Sequence, residues 1–372
     1  MIYFDNASTT KTSEIVNNEI ALALEKDYFN PSSLHTFGFE VSEKIQKARK
    51  DILNAIGGSG YGLVFTGSAT EANNMALIQC RRGKILVGAG EHPSVLEKAK
   101  QLKNEGRDVE FVGLDKTGCV DIEALKKMLS ADVGLVSVQY VSNETGAINN
   151  IGKIVELVKR ANPRALVHVD MVQALGKIPV DLGALGVDMA SFSGHKIHGP
   201  KGIGALAFAS KMKLQPLVFG GGQEFGMRSG TENVPYILAF RTAVVNAVLN
   251  QKQAFDNAAY VKSRLIDGFN KADLKFAVHG NGSPFVLSVS FDGVRGETLM
   301  HALEEFGIVV STGSACSSKK VGNHTLESMG QSKDAILENV RISFAHEKFD
   351  DKQIDEAIAL ICQCVLKLRI EK

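Results

Sequence analysis

The chain has 372 residues, 44% of them apolar and 22% charged, with 42 Lys+Arg against 41 Asp+Glu. That balance makes no general electrostatic case for nucleic acid or an anionic membrane, and no unbroken apolar stretch is long enough to span a bilayer. Five cysteines (Cys80, Cys119, Cys316, Cys362, Cys364) are odd in number and widely spread, which predicts reduced thiols in a cytoplasmic protein rather than a disulfide framework. From the N-terminus, MIYFDNASTT has neither a basic segment nor an apolar core, so no secretory leader is expected. Strands are predicted at Gly62–Thr66, Lys84–Ala89, Gly134–Val141, Ala165–Asp170, Met189–Ser193 and Gly204–Ala209, with amphipathic helices at Pro93–Asn104, Asp121–Ser130 and Ile151–Arg160. Such alternation predicts an α/β domain built on a mainly parallel, helix-covered sheet. Val234 to about Lys271 reads as helical with little interruption. Beyond Gly282 come a strand in FVLSVSF, a helix over Glu297–Phe306, short strands at Ile308–Ser311 and Val340–Phe344, and a closing helix over Asp351–Leu368. We expect three parts: an N-terminal segment 1–14 packing with the smaller domain, a large α/β domain 15–250, and a small α+β domain 251–372.

Ligands of parallel sheets sit beyond the carboxyl ends of the strands, and Thr66, Asn143, Asp170 and Ser193 fall at or just past such ends. Asp170 and Gln173 close one apolar run in HVDMVQALG; Ser193-Gly194-His195-Lys196 closes another. A lysine amine beside phosphate-binding hydroxyls, with an acid at a neighbouring strand end, is what pyridoxal phosphate requires: the amine forms a Schiff base and the acid pairs with the pyridinium nitrogen. The stretch Thr66-Gly67-Ser68-Ala69-Thr70-Glu71 opens a helix whose dipole and N–H groups suit a phosphate, although Ser68 with Glu71 also reads as a capping box. His92 in GAGEHPSV follows a third strand, where an imidazole could stack on the ring. GAGEHP lacks the third glycine of a dinucleotide fingerprint. No His or Cys spacing matches a strong zinc motif, and no metal is expected.

The stretches FDNASTT, FNPSS, TGSATEANN, EHPSV, NETG, HVDMVQALGK, SFSGHKIHGPKGIG, GGGQEFGMRSGT and STGSACSS occur in matching order from Phe4 to Arg341. They resemble the cysteine desulfurases, in the NifS/IscS-type branch of the class V aminotransferases. That resemblance implies the fold type I, aspartate-aminotransferase-like architecture, with pyridoxal phosphate as cofactor and L-cysteine as substrate. It implies Lys196 as the lysine that carries the cofactor and moves the α-proton. Asp170 would face the pyridinium nitrogen, Gln173 the ring hydroxyl and His92 the ring face. Ala69, Thr70, Ser193 and His195 would hold the phosphate. Thr231 in MRSGT would reach the phosphate of a partner subunit, which implies a homodimer. Arg341, with Asn143 and Asn30, would take the substrate carboxylate.

Cys316 decides the reaction type. Small residues surround it and Lys319 and Lys320 follow, a setting that favours the nucleophilic thiolate. The resemblance makes it the persulfide-forming nucleophile: sulfur leaves L-cysteine for Cys316 and L-alanine is released. Cys316 stands 25 residues before Arg341, similar to the branch with a long, mobile cysteine loop that is active alone. The sulfur would pass to an acceptor protein such as an iron–sulfur scaffold. Another reaction on the same fold (aminotransfer, or a selenocysteine or cysteine-sulfinate lyase) would need Lys196 and Asp170 but not Cys316. The chain departs from the family pattern after Cys316 (SKKVGNHTLESMG), at Gln223 and Phe225, and in ISFAHEKF, and it ends at Lys372 without an extended tail. Those differences bear on partner recognition more than on chemistry.

Overall fold

A computed structural model describes residues 1–280, 282–313 and 323–369. Twelve strands are found among them: β1 (Ile2–Tyr3), β2 (Tyr61–Thr66), β3 (Lys84–Gly88), β4 (Val109–Val112), β5 (Val133–Gln139), β6 (Leu166–Asp170), β7 (Met189–Ser193), β8 (Gly204–Ala209), β9 (Phe276–His279), β10 (Val286–Phe291), β11 (Ile308–Val309) and β12 (Asn339–Ser343). Seven form one sheet in the order β2-β8-β7-β6-β5-β3-β4. Its strands run parallel except β8, which pairs antiparallel with both β2 and β7. The sheet is the expected α/β architecture. Apolar residues are buried on both of its faces. One core joins it to the helices Thr36–Ala55, Ile151–Ala161 and Val234–Leu249; another joins it to Ala69–Leu77 and Pro93–Asn104.

A third core surrounds the antiparallel sheet β12-β10-β9 and takes Ile2 and Phe4 from the start of the chain. β1 pairs in parallel with β11, placing Ile2 opposite Ile308. Helix Asp351–Leu368 buries Cys362 and Cys364 in this core, where packing accounts for both thiols.

Helix Pro93–Asn104, strands β7 and β8, and helix Asp351–Leu368 have the bounds that patterning predicts. The run from Val234 differs, dividing into helices Val234–Leu249 and Gln251–Lys271. Asn250 sits between them and its Nδ2 donates to the Asn246 carbonyl at 2.8 Å, a local side-chain bond that competes with helix continuation. Helices Glu14–Lys26 and Thr36–Ala55 and the four-residue edge strand β4 are further elements that patterning left unassigned.

Candidate active site

The carboxyl ends of β2, β5, β6 and β7 face a cavity of about 340 Å³, within the range of small-molecule sites. Asp170, the last residue of β6, is buried in its wall. Its Oδ2 accepts Asn73 Nδ2 at 2.8 Å and its Oδ1 accepts the Val172 N–H at 2.9 Å. These bonds fix the carboxylate plane. His92 is the N-cap of helix Pro93–Asn104, and its Nδ1 accepts the Ser94 N–H at 3.1 Å. A neutral His92 with Nδ1 as acceptor carries its proton on Nε2. Burial lowers the His92 pKa and Asp170 opposes the shift, while the Lys196 cation adds to it. Asn73 Nδ2 also donates to the Ser94 hydroxyl at 2.8 Å, and that hydroxyl lies 2.8 Å from His92 Nδ1. One amide thus links the acid to the imidazole.

Lys196 ends the short 3-10 turn Gly194–Lys196 after β7, with its Nζ 2.6 Å from the carbonyls of both Ala7 and Ser8. Gln173 donates from Nε2 to the same Ala7 carbonyl at 2.9 Å. Ser193, His195 and the start of helix Ala69–Leu77 line the same cavity. Ser68 caps that helix by accepting the Glu71 N–H at 3.2 Å. Glu71 turns instead to the Gly67 N–H at 2.7 Å and pairs with Arg228 at 2.9 Å, so the expected capping box is half realised. Gly204 lets the helix start lie against β8: a Cβ there would come within 2.8 Å of Ala69 N and 2.6 Å of the Ser68 carbonyl carbon. His195 Nδ1 lies 3.1 Å from Thr9 Oγ1, and burial, then Lys196, pulls its pKa down to about 3. It therefore offers a neutral ring, and an anion beside it would favour protonation.

Arg341, on β12, closes the far end. Nη1 donates to the Asn143 carbonyl at 3.1 Å and Glu144 Oε1 at 3.3 Å; Nη2 donates to Asp5 Oδ1 at 3.0 Å and Ser8 Oγ at 2.7 Å. Its Nε is buried without a hydrogen-bond partner among the described residues. The Asn143 amide donates to Glu144 at 2.8 Å.

The Aminotransferase class-V family profile matches residues 2–355. The chain is 37% identical over 381 residues to Cysteine desulfurase IscS 1 of Archaeoglobus fulgidus, covering 99% of this chain and 98% of that relative. This chain belongs to the class-V aminotransferase family, among its cysteine desulfurases. A solved NifS-like protein superposes with a TM-score of 0.92 at 35% identity, covering 99% of this chain and 100% of that one. SspA in complex with cysteine superposes with a TM-score of 0.81 at 26% identity, covering 94% and 100%.

Class-V aminotransferases use pyridoxal phosphate, and the donor set fits it. The cavity offers an amine at Lys196, a carboxylate at Asp170, and hydroxyls beside a helix N-terminus at Ser68, Thr70 and Ser193. Ten of the residues named from sequence line this one cavity: Ala69, Thr70, His92, Asn143, Asp170, Gln173, Ser193, His195, Lys196 and Arg341. Two do not. Asn30 is exposed and its Oδ1 accepts the Ser32 N–H at 2.9 Å; Thr231 is exposed on the loop after Gly230. Cys316 and its loop lie outside the described residues. The residues that flank them, Gly313 and Asn323, meet at Glu144. Asn323 Nδ2 donates to Glu144 Oε2 at 3.0 Å, and a Cβ on Gly313 would come within 2.7 Å of the same oxygen.

Sequence reasoning passed over Asn73, Ser94, Asp5, Ser8 and Glu144. Each stands inside or beside a quoted motif (TGSATEANN, EHPSV, FDNASTT, NETG), which was the available signal.

Proposed function

We propose that the chain is a pyridoxal-phosphate-dependent cysteine desulfurase that converts L-cysteine to L-alanine and leaves the sulfur on Cys316 as a persulfide. One observation carries the reading: a single cavity joins the Lys196 amine, the anchored Asp170 carboxylate and the buried Arg341 guanidinium. Lys196 would hold the cofactor and move the substrate α-proton, with the Ala7 and Ser8 carbonyls aiming its amine. Asp170 would keep the ring nitrogen protonated, Gln173 would face the ring hydroxyl, and His92 would lie on the ring face with its Nε2 proton available. Ala69, Thr70, Ser193 and His195 would take the phosphate, and Arg341 with Asn143 the substrate carboxylate. When bound, pyridoxal phosphate supplies the electron sink for charge at the substrate Cα. The Cys316 thiolate takes the substrate sulfur: the carbon–sulfur bond breaks, a sulfur–sulfur bond forms, and the β-carbon gains a proton.

Asn30 and Thr231 enter through a homodimer. Both lie in segments with exposed apolar side chains, Leu34, Phe37 and Phe39 in one and Phe219 and Phe225 in the other, as a second copy would cover. Thr231 would then reach the partner's phosphate. Thr231→Ala is expected to lower pyridoxal phosphate retention severalfold by equilibrium dialysis, and undiminished retention removes this contact. The sulfur would pass to an acceptor protein such as an iron–sulfur scaffold, in the cytoplasm. Among the described residues no helix is long and apolar enough to cross a membrane.

The test is to incubate the holoenzyme with L-cysteine and a reductant and to quantify sulfide and alanine beside Cys316→Ala. Equimolar products, lost in the variant, are expected. Full turnover by the variant would instead indicate a reaction that bypasses Cys316.

A further inference from the structure

Lys177 lies beneath the cavity and is 1% exposed, the one lysine buried to this degree among the described residues. Its Nζ donates to Gln173 Oε1 at 2.6 Å and stands 6.0 Å from the centre of the Phe285 ring. Burial, followed by Lys196 and Arg341, brings its pKa down to about 7. Its charge in turn pulls down the pKa of His195, His198 and His346. An apolar side chain of that length would fill the space without the desolvation cost of an amine.

The amine bears on Gln173. A side-chain amide has one acceptor end and one donor end, and Lys177 donates whether charged or neutral. It therefore occupies Oε1 and leaves Nε2 at the cavity, where it meets the Ala7 carbonyl that also receives Lys196. With the amide reversed, the Gln173 NH2 would face the Lys177 amine, and Oε1 would face the Ala7 carbonyl. The Ala7 bond would be lost in either state, and a charged Lys177, which has no lone pair, could accept nothing from that NH2.

We propose that Lys177 is a positioning residue that locks the Gln173 amide with its Nε2 N–H toward the hydroxyl oxygen of the cofactor ring. The proposal rests on the reading above that places Gln173 at that oxygen. A donor there would favour the deprotonated ring oxygen and so lower the pH at which the bound cofactor loses its proton.

The experiment follows the visible absorbance of the reconstituted holoenzyme against pH in the unmodified chain, Gln173→Ala, Lys177→Met and the double variant. Each single substitution is expected to raise the midpoint of the spectral transition by about 0.5–1 pH unit, and the double variant to go no further than Gln173→Ala. Should Lys177→Met add its full shift on the Gln173→Ala background, Lys177 acts by its own charge and the proposal fails. If Lys177→Met moves only thermal stability while Gln173→Ala shifts the midpoint, the proposal fails and the Gln173 reading stands. An unmoved midpoint in Gln173→Ala removes both. Should Lys177→Met not retain the cofactor, Lys177→Gln keeps an N–H donor of shorter reach and enters the same cycle. Midpoints there are expected between the unmodified chain and Gln173→Ala, and a full additive shift overturns the proposal.

Discussion

The two ends of the cavity are built on different principles. At the ring end, Asp170, His92 and Lys196 come from the carboxyl ends of β6, β3 and β7 in one sheet, and neutral donors or carbonyls hold each in one orientation. At the carboxylate end, residues from three remote parts of the chain meet around one guanidinium, which already pairs with two carboxylates, Asp5 and Glu144. The four Nη bonds are made, and the buried Nε has no partner among the described residues. On the reading proposed above, the ring end would receive its ligand as built, whereas the carboxylate end would have to exchange partners. Replacing one carboxylate by another at a buried guanidinium avoids the large penalty of leaving that charge unpaired, so the exchange can be easy as well as selective.

The largest expected effect lies at the ring end. Lys196→Ala removes the amine, so purified protein supplied with pyridoxal phosphate is expected to show none of the absorbance of the lysine-bound cofactor and no alanine production. A retained band would give the covalent role to another lysine and break the contrast between the two ends. Arg341→Ala comes next. It removes hydrogen bonds to a charged ligand, each about 1.5–3 kcal/mol, so KM for L-cysteine is expected to rise roughly ten- to hundredfold with the spectrum of the resting enzyme unchanged. An unaltered KM would place the carboxylate elsewhere.

The same contrast explains what could be read from sequence. Asp170, Ser193 and Lys196 stand at the ends of apolar runs, and period and punctuation locate such ends. Strands β7 and β8 matched their expected bounds for that reason. Asn73 and Ser94 are 21 residues apart in sequence and meet only because their two helices pack side by side. Arg341 and Asp5 are 336 residues apart. That contact depends on β1 joining β11 and on the bridge from Asp5 to Ser343, neither of which leaves a local pattern. Lys177 sits in the quoted HVDMVQALGK, yet its burial follows from packing against Phe285, and a lysine in a turn reads as solvated.

Asp5→Asn has the smallest expected effect and tests the exchange most directly. Asp5 Oδ1 accepts both Arg341 Nη2 at 3.0 Å and Ser8 Oγ at 2.8 Å, and asparagine can keep that oxygen in place while removing the charge. If Asp5 competes with substrate for the guanidinium, its neutral replacement holds Arg341 less tightly. KM for L-cysteine then falls, by about two- to fivefold for a difference of roughly 0.5–1 kcal/mol, while kcat stays within a factor of about two. A rise in KM would mean that Asp5 aims the guanidinium instead of yielding it. The carboxylate end would then be as preorganised as the ring end.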